Sequence, residues 1–184
     1  MDYVLPNLRL ADLMVVVNEN KRFFEEFVQY LQEEGYGSIL EFAREGSDER
    51  AEKTIVKYLE RPGDAILYDG LLRPYPNYKA KWYFLAWLFR DAATQRLEPL
   101  LKTVPGETLT DRKAYLLNEI RKFVEPLFPE EASWQWPALS EVMLTRLEGS
   151  RRALKGSAIE GMLRKHLEVL IEAEKLPLDV SSRQ

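Results

Sequence analysis

Apolar residues recur at intervals of three and four residues along almost the whole chain, and this spacing constrains the fold more than any other feature. It gathers the apolar side chains on one face of an α-helix, whereas a half-buried β-strand alternates apolar and polar residues. Such alternation is scarce in this sequence. The spacing therefore predicts an all-α fold, a compact bundle of about six to seven helices that ends in a helix and a short extended tail.

Helix breakers and capping residues divide the first half of the chain into three predicted helices. The first covers residues 10–34 and ends at Gly35, a residue type that commonly follows a helix. The Ser-x-x-Glu pattern at 38–41 is typical of the start of a short helix. A third helix is expected over residues 48–60, and the segment 64–78 that follows it is the least regular part of the chain.

The most apolar segment, residues 77–102, is the expected central helix. Large side chains such as Trp82 and Phe89 fall there at helical spacing, and Pro99 is expected to kink or end the helix. These aromatic rings could stack on the bases of a single strand, as in other nucleic-acid-binding proteins. A domain of this size needs such residues in its core, however, and the spacing favours burial.

The remaining helices are expected over residues 110–125, started by Thr110 or Asp111, and over residues 138–147. Glycine and serine at 149–150 and again at 156–157 predict a break before a last helix. We therefore expect a helical domain over residues 1–148, and a basic turn followed by an amphipathic helix over residues 149–184.

Composition excludes several classes of chemistry. The chain has no cysteine and a single histidine, His166, so disulfides, thiolate metal sites and a cysteine nucleophile are excluded. No Gly-x-Ser-x-Gly elbow accompanies the histidine, which we expect to pack on or beside the apolar face of the last helix. No Gly-rich phosphate loop is present. The N-terminus lacks the pattern of a signal peptide and the apolar runs are too short to span a bilayer, which favours a cytoplasmic location without membrane association.

Charge is distributed unevenly along the chain. The formal net charge is -4, yet residues 143–166 hold six basic residues against the two acidic residues Glu148 and Glu160. The basic residues of this window are Arg146, Arg151, Arg152, Lys155, Arg164 and Lys165. Two interpretations remain open, because such a cluster can face phosphate groups or can simply solvate the ends of helices.

The last helix is well specified by its own residues. Ser157 and Glu160 have the spacing of a capping box, and Glu160 stands four residues before Arg164, the favourable order for a helical ion pair. Its apolar stripe is expected to be buried. The stripe consists of Ile159, Met162, Leu163, Leu167, Leu170 and Ile171.

The segment "RRALKGSAIEGMLRKHLEVLIEAEKLPLDV" resembles the part that opens the catalytic core in type II restriction endonucleases of the PD-(D/E)xK superfamily. There, a basic glycine-containing turn leads into an amphipathic helix that carries a glutamate, and the first strand of the core sheet follows. The resemblance implies that Glu160 assists a Mg²⁺ and water network in the full enzyme. It also implies that the enzyme binds double-stranded DNA as a homo-oligomer, with DNA contacts from Arg151, Arg152, Lys155, Arg164 and Lys165.

The chain itself does not complete the catalytic motif of that superfamily. Asp179 follows the helix, but no second carboxylate with its lysine comes after it. Mg²⁺ catalysis in these enzymes needs both. We therefore expect the N-terminal region of such an enzyme, with the start of its nuclease core at 149–184, which supports oligomerisation and DNA contact without cleaving DNA by itself.

Three other interpretations stay open at the level of sequence. The first is a non-enzymatic helical module that binds a protein partner. The second is a helix-turn-helix regulator built on residues 49–72, although residues 58–69 lack the basic second helix of such readers. The third is a Glu-x-Lys nuclease motif formed by Glu19 and Lys21 after an apolar run, although the flanking pattern is helical.

Overall fold

The computed structural model describes residues 10–90 and 94–173, and it confirms the all-α prediction because these two ranges contain helices and no β-strand. Short 3-10 turns at 125–127 and 131–134 precede the last helix. The described α-helices are α1 (Leu10–Glu19), α2 (Lys21–Glu33), α3 (Ile39–Ala43), α4 (Asp48–Glu60), α5 (Asn77–Leu88), α6 (Thr94–Leu100), α7 (Leu109–Val124) and α8 (Trp136–Ala173).

Aromatic rings fill the centre of the bundle, where α2, α4 and α5 meet. The ring of Phe27 packs edge-on against Tyr58 and Phe84, with centroids 4.7 Å and 5.3 Å away. Trp82 and Phe89 are 2% and 0% exposed. The apolar segment at 77–89 therefore forms core, as its spacing predicted, and its buried rings cannot stack on nucleic-acid bases.

The predicted first helix is interrupted at Asn20, which is fully buried. Its side-chain nitrogen donates to the carbonyl of Tyr68 at 3.1 Å, and its side-chain oxygen accepts from the Tyr68 amide at 2.7 Å. These bonds tie the α1–α2 junction to the irregular loop at 61–76. The prediction of one helix was wrong because a tertiary contact overrides local spacing. Gly35 does follow α2 in a left-handed conformation, with φ +88°.

The predicted central helix is likewise divided, into α5 and α6. Arg90 has φ 59°, which ends α5, and its guanidinium lies between the rings of Phe128 and Trp134, with centroids 4.7 Å and 4.5 Å away. It donates to the carbonyls of Leu88 and Ser133. Burial lowers the pKa of Arg90 to about 10. The aromatic clamp fixes the turn, whereas Pro99 stands one residue before the end of α6, as expected.

Helix α7 starts earlier than the sequence predicted. Thr108 caps it, because its side-chain oxygen accepts from the Asp111 amide at 3.1 Å while the Asp111 carboxylate accepts from the Thr108 amide at 2.9 Å. The predicted caps, Thr110 and Asp111, therefore lie inside the helix. Threonine and aspartate occur at several neighbouring positions here, so only the reciprocal pair identifies the true cap.

Helix α8 is continuous, so the predicted breaks at 149–150 and 156–157 were wrong. Ser157 lies inside the helix and does not form a capping box with Glu160. A glycine or serine lowers helix propensity by about 1 kcal/mol or less, which does not end a helix whose neighbours keep the pattern. The predicted helix at 138–147 is thus only the first part of α8.

Two of the alternative interpretations are contradicted by the fold. Glu19 ends α1 and Lys21 begins α2, so the Glu-x-Lys spot lies on helices and not on the strand that a nuclease site needs. Residues 61–76, which follow α4, contain no second helix, so a helix-turn-helix over residues 49–72 is excluded.

The described residues do not test every prediction made from the sequence. The extended tail and Asp179 fall at 174–184, outside the described residues. The division of the chain at residue 148 and the cytoplasmic location stay predictions. Within residues 10–90 and 94–173, no helix combines the length and apolar character that crossing a bilayer requires.

Candidate functional site

The second half of α8, residues 148–173, is the main candidate for a functional surface, and we call it the distal arm. At 1.5 Å per residue it is about 39 Å long. It carries Glu160 and the five basic residues for which the resemblance implies DNA contacts. The first half of the helix, residues 136–147, packs on the bundle, with Leu139, Met143 and Leu147 each 0% exposed.

A tight loop marks the place where α8 leaves the bundle. The Asp69 carboxylate accepts from the backbone amides of Leu71 and Arg73 and from the Arg73 side chain, at 2.8 to 3.0 Å. Next to it, Gly70 lies directly against the helix: a β-carbon there would be 2.4 Å from the carbonyl oxygen of Leu147. Asp69 therefore holds a turn that only glycine allows to reach the backbone of α8.

Tyr75 anchors the next turn of α8. Its ring packs against Tyr83 and Trp87, with centroids 4.8 Å and 6.0 Å away, and its hydroxyl lies close to the side chain of Ser150. Burial raises the pKa of Tyr75 to about 12. The sequence showed this segment only as an irregular loop, so the residues that hold α8 in place were missed. The tight turn at Asp69 and Gly70 was their one local signal.

Beyond this anchor, the apolar face of the distal arm is exposed. We call it the distal stripe, which consists of Ile159, Met162, Leu163, Leu167 and Leu170, with His166 among them. Leu163 is 60% exposed and Leu170 is 55% exposed, whereas Met162 and the sixth predicted member, Ile171, are half-buried, so the prediction of a buried stripe was wrong for most of its members. No described element covers it. The sequence pattern identified an apolar face correctly, but it could not say whether a second layer exists to cover that face.

The distal stripe also points away from the bundle. Met143 and Leu163 are 20 positions apart in one helix, and at 100° per residue this separation turns the side chain by roughly 200°. The face that packs the first half of α8 and the distal stripe therefore lie on nearly opposite sides of the helix axis. A simple extension of the bundle core would not reach the stripe.

The predicted DNA-contacting residues lie along the same arm. Arg152 is paired with Glu148 at 2.6 Å and Arg164 with Glu160 at 3.4 Å, each one helical turn apart. Arg151 is half-buried where the helix leaves the bundle, and Lys165 is exposed. The side chain of Lys155 lies outside what the structure describes. Exposed pairs of this kind are worth about 0.3 to 0.5 kcal/mol, so a phosphate group could displace their carboxylates.

The predicted catalytic residue, Glu160, is exposed and forms the ion pair with Arg164 that the spacing predicted. The residues that the structure describes contain no group of three or more histidine, cysteine, aspartate or glutamate side chains that could hold a metal. Mg²⁺ retains several oxygen ligands in octahedral geometry, and one exposed carboxylate does not supply them. The described residues thus do not fit a Mg²⁺ site on their own.

The single histidine does not form a catalytic pair. Nδ1 of His166 lies 3.0 Å from the Met162 carbonyl, one turn earlier in the same helix, and the side chain is exposed. His166 thus lies on the apolar face of the last helix, as its spacing predicted, but its side chain is exposed and not packed.

A cleft of about 440 Å³ opens elsewhere in the molecule, between α2, the end of α4 and the start of α5. Lys81 projects into it and donates to the carbonyls of Tyr58 and Arg61, while its ammonium lies 4.9 Å from the Tyr58 ring centroid. Burial lowers the pKa of Lys81 to about 8. The hydrogen bonds of Lys81 satisfy carbonyls at the end of α4, so this lysine caps the helix. Its role is therefore structural, and it does not mark the cleft as a catalytic site.

Comparison with known proteins adds no relative: no family model, curated protein or solved structure matches the chain.

Proposed function

We propose that the chain is the N-terminal helical region of a type II restriction endonuclease of the PD-(D/E)xK superfamily, which supports oligomerisation and contacts double-stranded DNA without cleaving it alone. The observation that carries the proposal is the distal arm. It projects a basic start, a glutamate-bearing helix and an uncovered apolar stripe beyond the helical bundle. The resemblance of residues 150–180 to the opening of a nuclease core supports the same assignment.

The electrostatics of the arm agree with contact to a phosphate backbone. Arg151, Arg152 and Lys155 fall within about a turn and a half, without an intervening acidic residue. A protein with a net charge of -4 repels DNA over most of its surface, so binding has to rely on a local basic patch. In the proposed enzyme, Mg²⁺ would polarise the attacked phosphate, and residues beyond those described would have to supply most of its ligands.

Salt-dependent binding to duplex DNA tests the DNA contact. We expect weak binding whose affinity falls steeply with salt. Replacing both Arg151 and Arg152 with alanine should weaken it and reduce the slope of log K against log salt by up to about 1.8, because each phosphate contact contributes about 0.9. An unchanged slope would show that these arginines do not touch DNA.

A matched control separates this contact from a general loss of charge. Lys21 and Arg22 also form an adjacent basic pair, and each is bridged to a carboxylate one turn later, at 3.4 Å and 3.8 Å. Replacing both with alanine removes the same charge from α2 and should leave the slope unchanged. If the two double variants lose affinity equally, the arm has no special role in DNA binding.

The second candidate function is a non-enzymatic helical module that docks a protein partner, and the exposed distal stripe favours it. Exposed apolar patches of this kind commonly mark interaction sites. The two functions differ in the expected effect of DNA, since a pure docking module should show no salt-dependent binding to duplex DNA at all.

A further inference from the structure

We propose that the cleft between α2, the end of α4 and the start of α5 binds a small zwitterion, a free α-amino acid with an apolar side chain. In the bound state, the ligand carboxylate meets the ammonium of Lys81, and the ligand ammonium meets the carboxylate of Glu26. None of the residues that line the cleft belongs to the distal arm, so this binding does not depend on the proposed DNA contact.

Two half-buried groups of opposite charge line the cleft without pairing with each other. Glu26 is bridged to Arg22 at 3.8 Å, and Lys81 donates to two backbone carbonyls. Both nevertheless border the same open point, because a β-carbon on Gly63 would lie 3.5 Å from Oε2 of Glu26 and 3.8 Å from Cε of Lys81. The cleft therefore holds a separated positive and negative charge, which a ligand with both charges satisfies at once.

Lys81 retains one hydrogen-bond donor for such a ligand. An ammonium group has three donors, and the two carbonyls at the end of α4 use two of them. Burial, together with the charge of Arg61, lowers the pKa of Lys81 to about 8, and the charge of Glu26 does not offset this effect. The ammonium is thus poorly compensated in the empty cleft, and a ligand carboxylate would supply the missing negative charge.

The side chain of Tyr58 offers a further polar group. Tyr58 is 4% exposed, and burial together with the charge of Glu26 raises the pKa of its hydroxyl well above the usual value. The neighbouring Tyr30 donates its own hydroxyl to the carbonyl of Thr54 at 2.6 Å. Within the described residues, the Tyr58 hydroxyl has no such bond. Buried hydroxyls normally have a partner, which a polar ligand would provide here.

A ligand with a single charge fits this cleft less well. Glu26 would repel a plain carboxylate, and Lys81 would repel a plain amine. The other charges, on Glu60, Arg61 and Asp64, lie at the exposed rim, where salt screens them. The volume of about 440 Å³ suits a small molecule, and the buried aromatic rings that line the cleft favour an apolar side chain on the ligand.

Titration of the full chain with matched probes tests the site. L-phenylalanine carries both charges, whereas 2-phenylethylamine lacks the carboxylate and 3-phenylpropanoate lacks the ammonium. We expect L-phenylalanine to shift the backbone amide resonances of residues 58–65 and 77–81 with a Kd on the order of 1 mM, and each single-charge probe to bind at least about tenfold more weakly. No shift up to roughly 20 mM L-phenylalanine, or equal binding of either analogue, would overturn the proposal.

Two glycine variants test the location of the site. Gly63→Leu fills the space between the two charges and should weaken binding of L-phenylalanine at least about tenfold. Gly46→Leu is the control, because Gly46 is also an exposed glycine without a positive φ, and a β-carbon there meets nothing within 4 Å. If Gly63→Leu binds like the parent chain, or both variants lose binding equally, the proposed site is wrong. Circular dichroism of both variants checks that the bundle remains folded.

Glu26→Gln tests the orientation of the ligand. Removing this carboxylate should weaken the binding of L-phenylalanine at least about tenfold, because the ligand ammonium loses its partner. The same variant should strengthen the binding of 3-phenylpropanoate, because the repulsion disappears. An unchanged affinity for both probes, or an equal loss for both, would contradict the assignment of Glu26 to the ligand ammonium.

Discussion

The two halves of α8 have similar sequence character and opposite environments. Residues 136–147 bury Leu139, Met143 and Leu147 completely, whereas Leu163 and Leu170 in the distal arm are more than half exposed. The same helix thus passes from a three-dimensional core into solvent, and its apolar residues move to nearly the opposite side of the helix axis on the way. The difference teaches that helical spacing determines which side chains share a face, while burial depends on what the rest of the chain, or another chain, brings to that face.

The largest expected difference between the halves concerns leucine truncation. Leu139→Ala should lower the free energy of unfolding by about 2 to 5 kcal/mol, because it leaves a cavity in a fully packed core. Leu163→Ala, measured in dilute protein, should lower it by less than about 0.5 kcal/mol, since the side chain has little to lose. Urea unfolding followed by circular dichroism gives both values. Equal losses would mean that the distal stripe is already buried within one chain.

Replacing glycine with alanine should change stability in opposite directions at the two parts of α8: at the loop that contacts the packed part, and within the distal arm. Gly70→Ala should destabilise the bundle by about 1 to 3 kcal/mol, because the new β-carbon would collide with the Leu147 carbonyl unless the loop moves. Gly156→Ala meets nothing within 4 Å and should stabilise the arm by about 0.5 to 1 kcal/mol. Thermal melting of the two variants provides the comparison. A neutral Gly70→Ala would show that the loop does not hold α8.

The smallest expected difference concerns polar contacts. Tyr75→Phe removes the half-buried hydroxyl that lies close to Ser150 and should lower the free energy of unfolding by about 0.5 to 1.5 kcal/mol. Glu160→Gln removes the exposed pair with Arg164 and should cost less than about 0.5 kcal/mol. Hydrogen exchange at the amides of 147–151 adds a local measurement: Tyr75→Phe should increase exchange there, and Glu160→Gln should not. The opposite pattern would place the anchor of α8 in the arm itself.

Much of the fold could be predicted from spacing and caps, and the exceptions share a physical origin. Residues 48–60 were identified as a helix to the residue, because Ser47 caps it and Arg61 and Pro62 end it within the local sequence. The interruptions at Asn20 and Arg90 depend on Tyr68, Phe128 and Trp134, which are more than 35 residues away in the chain. The spacing of neighbouring residues carries no information about such distant contacts. The sequence therefore predicted single helices where the structure has α1 and α2, and α5 and α6.

The candidate site shows the reverse error. Glycine and serine in the second half of α8 suggested two breaks, yet the helix continues through all of them. The ion pair of Glu160 with Arg164 was predicted correctly because both partners lie within one turn. The exposure of the stripe could not be predicted, since it depends on whether another element covers the stripe, and none of the described elements does. The DNA-contacting role of Arg151 and Arg152 stays a prediction, because the positions of the two side chains do not identify the molecule that they bind.

The continuity of α8 also fixes the orientation of the distal arm relative to the bundle. Because one unbroken helix joins them, the direction in which the arm presents its stripe is fixed by the number of residues between Leu147 and Ile159. Inserting a single residue there would swing the stripe by about 100°, whereas inserting seven would return it to within about 20° and move it roughly 10 Å outward. Insertions and deletions in this connection should therefore be tolerated only in steps of about seven residues. Such a step is close to two helical turns and keeps the stripe on the same side of the helix axis.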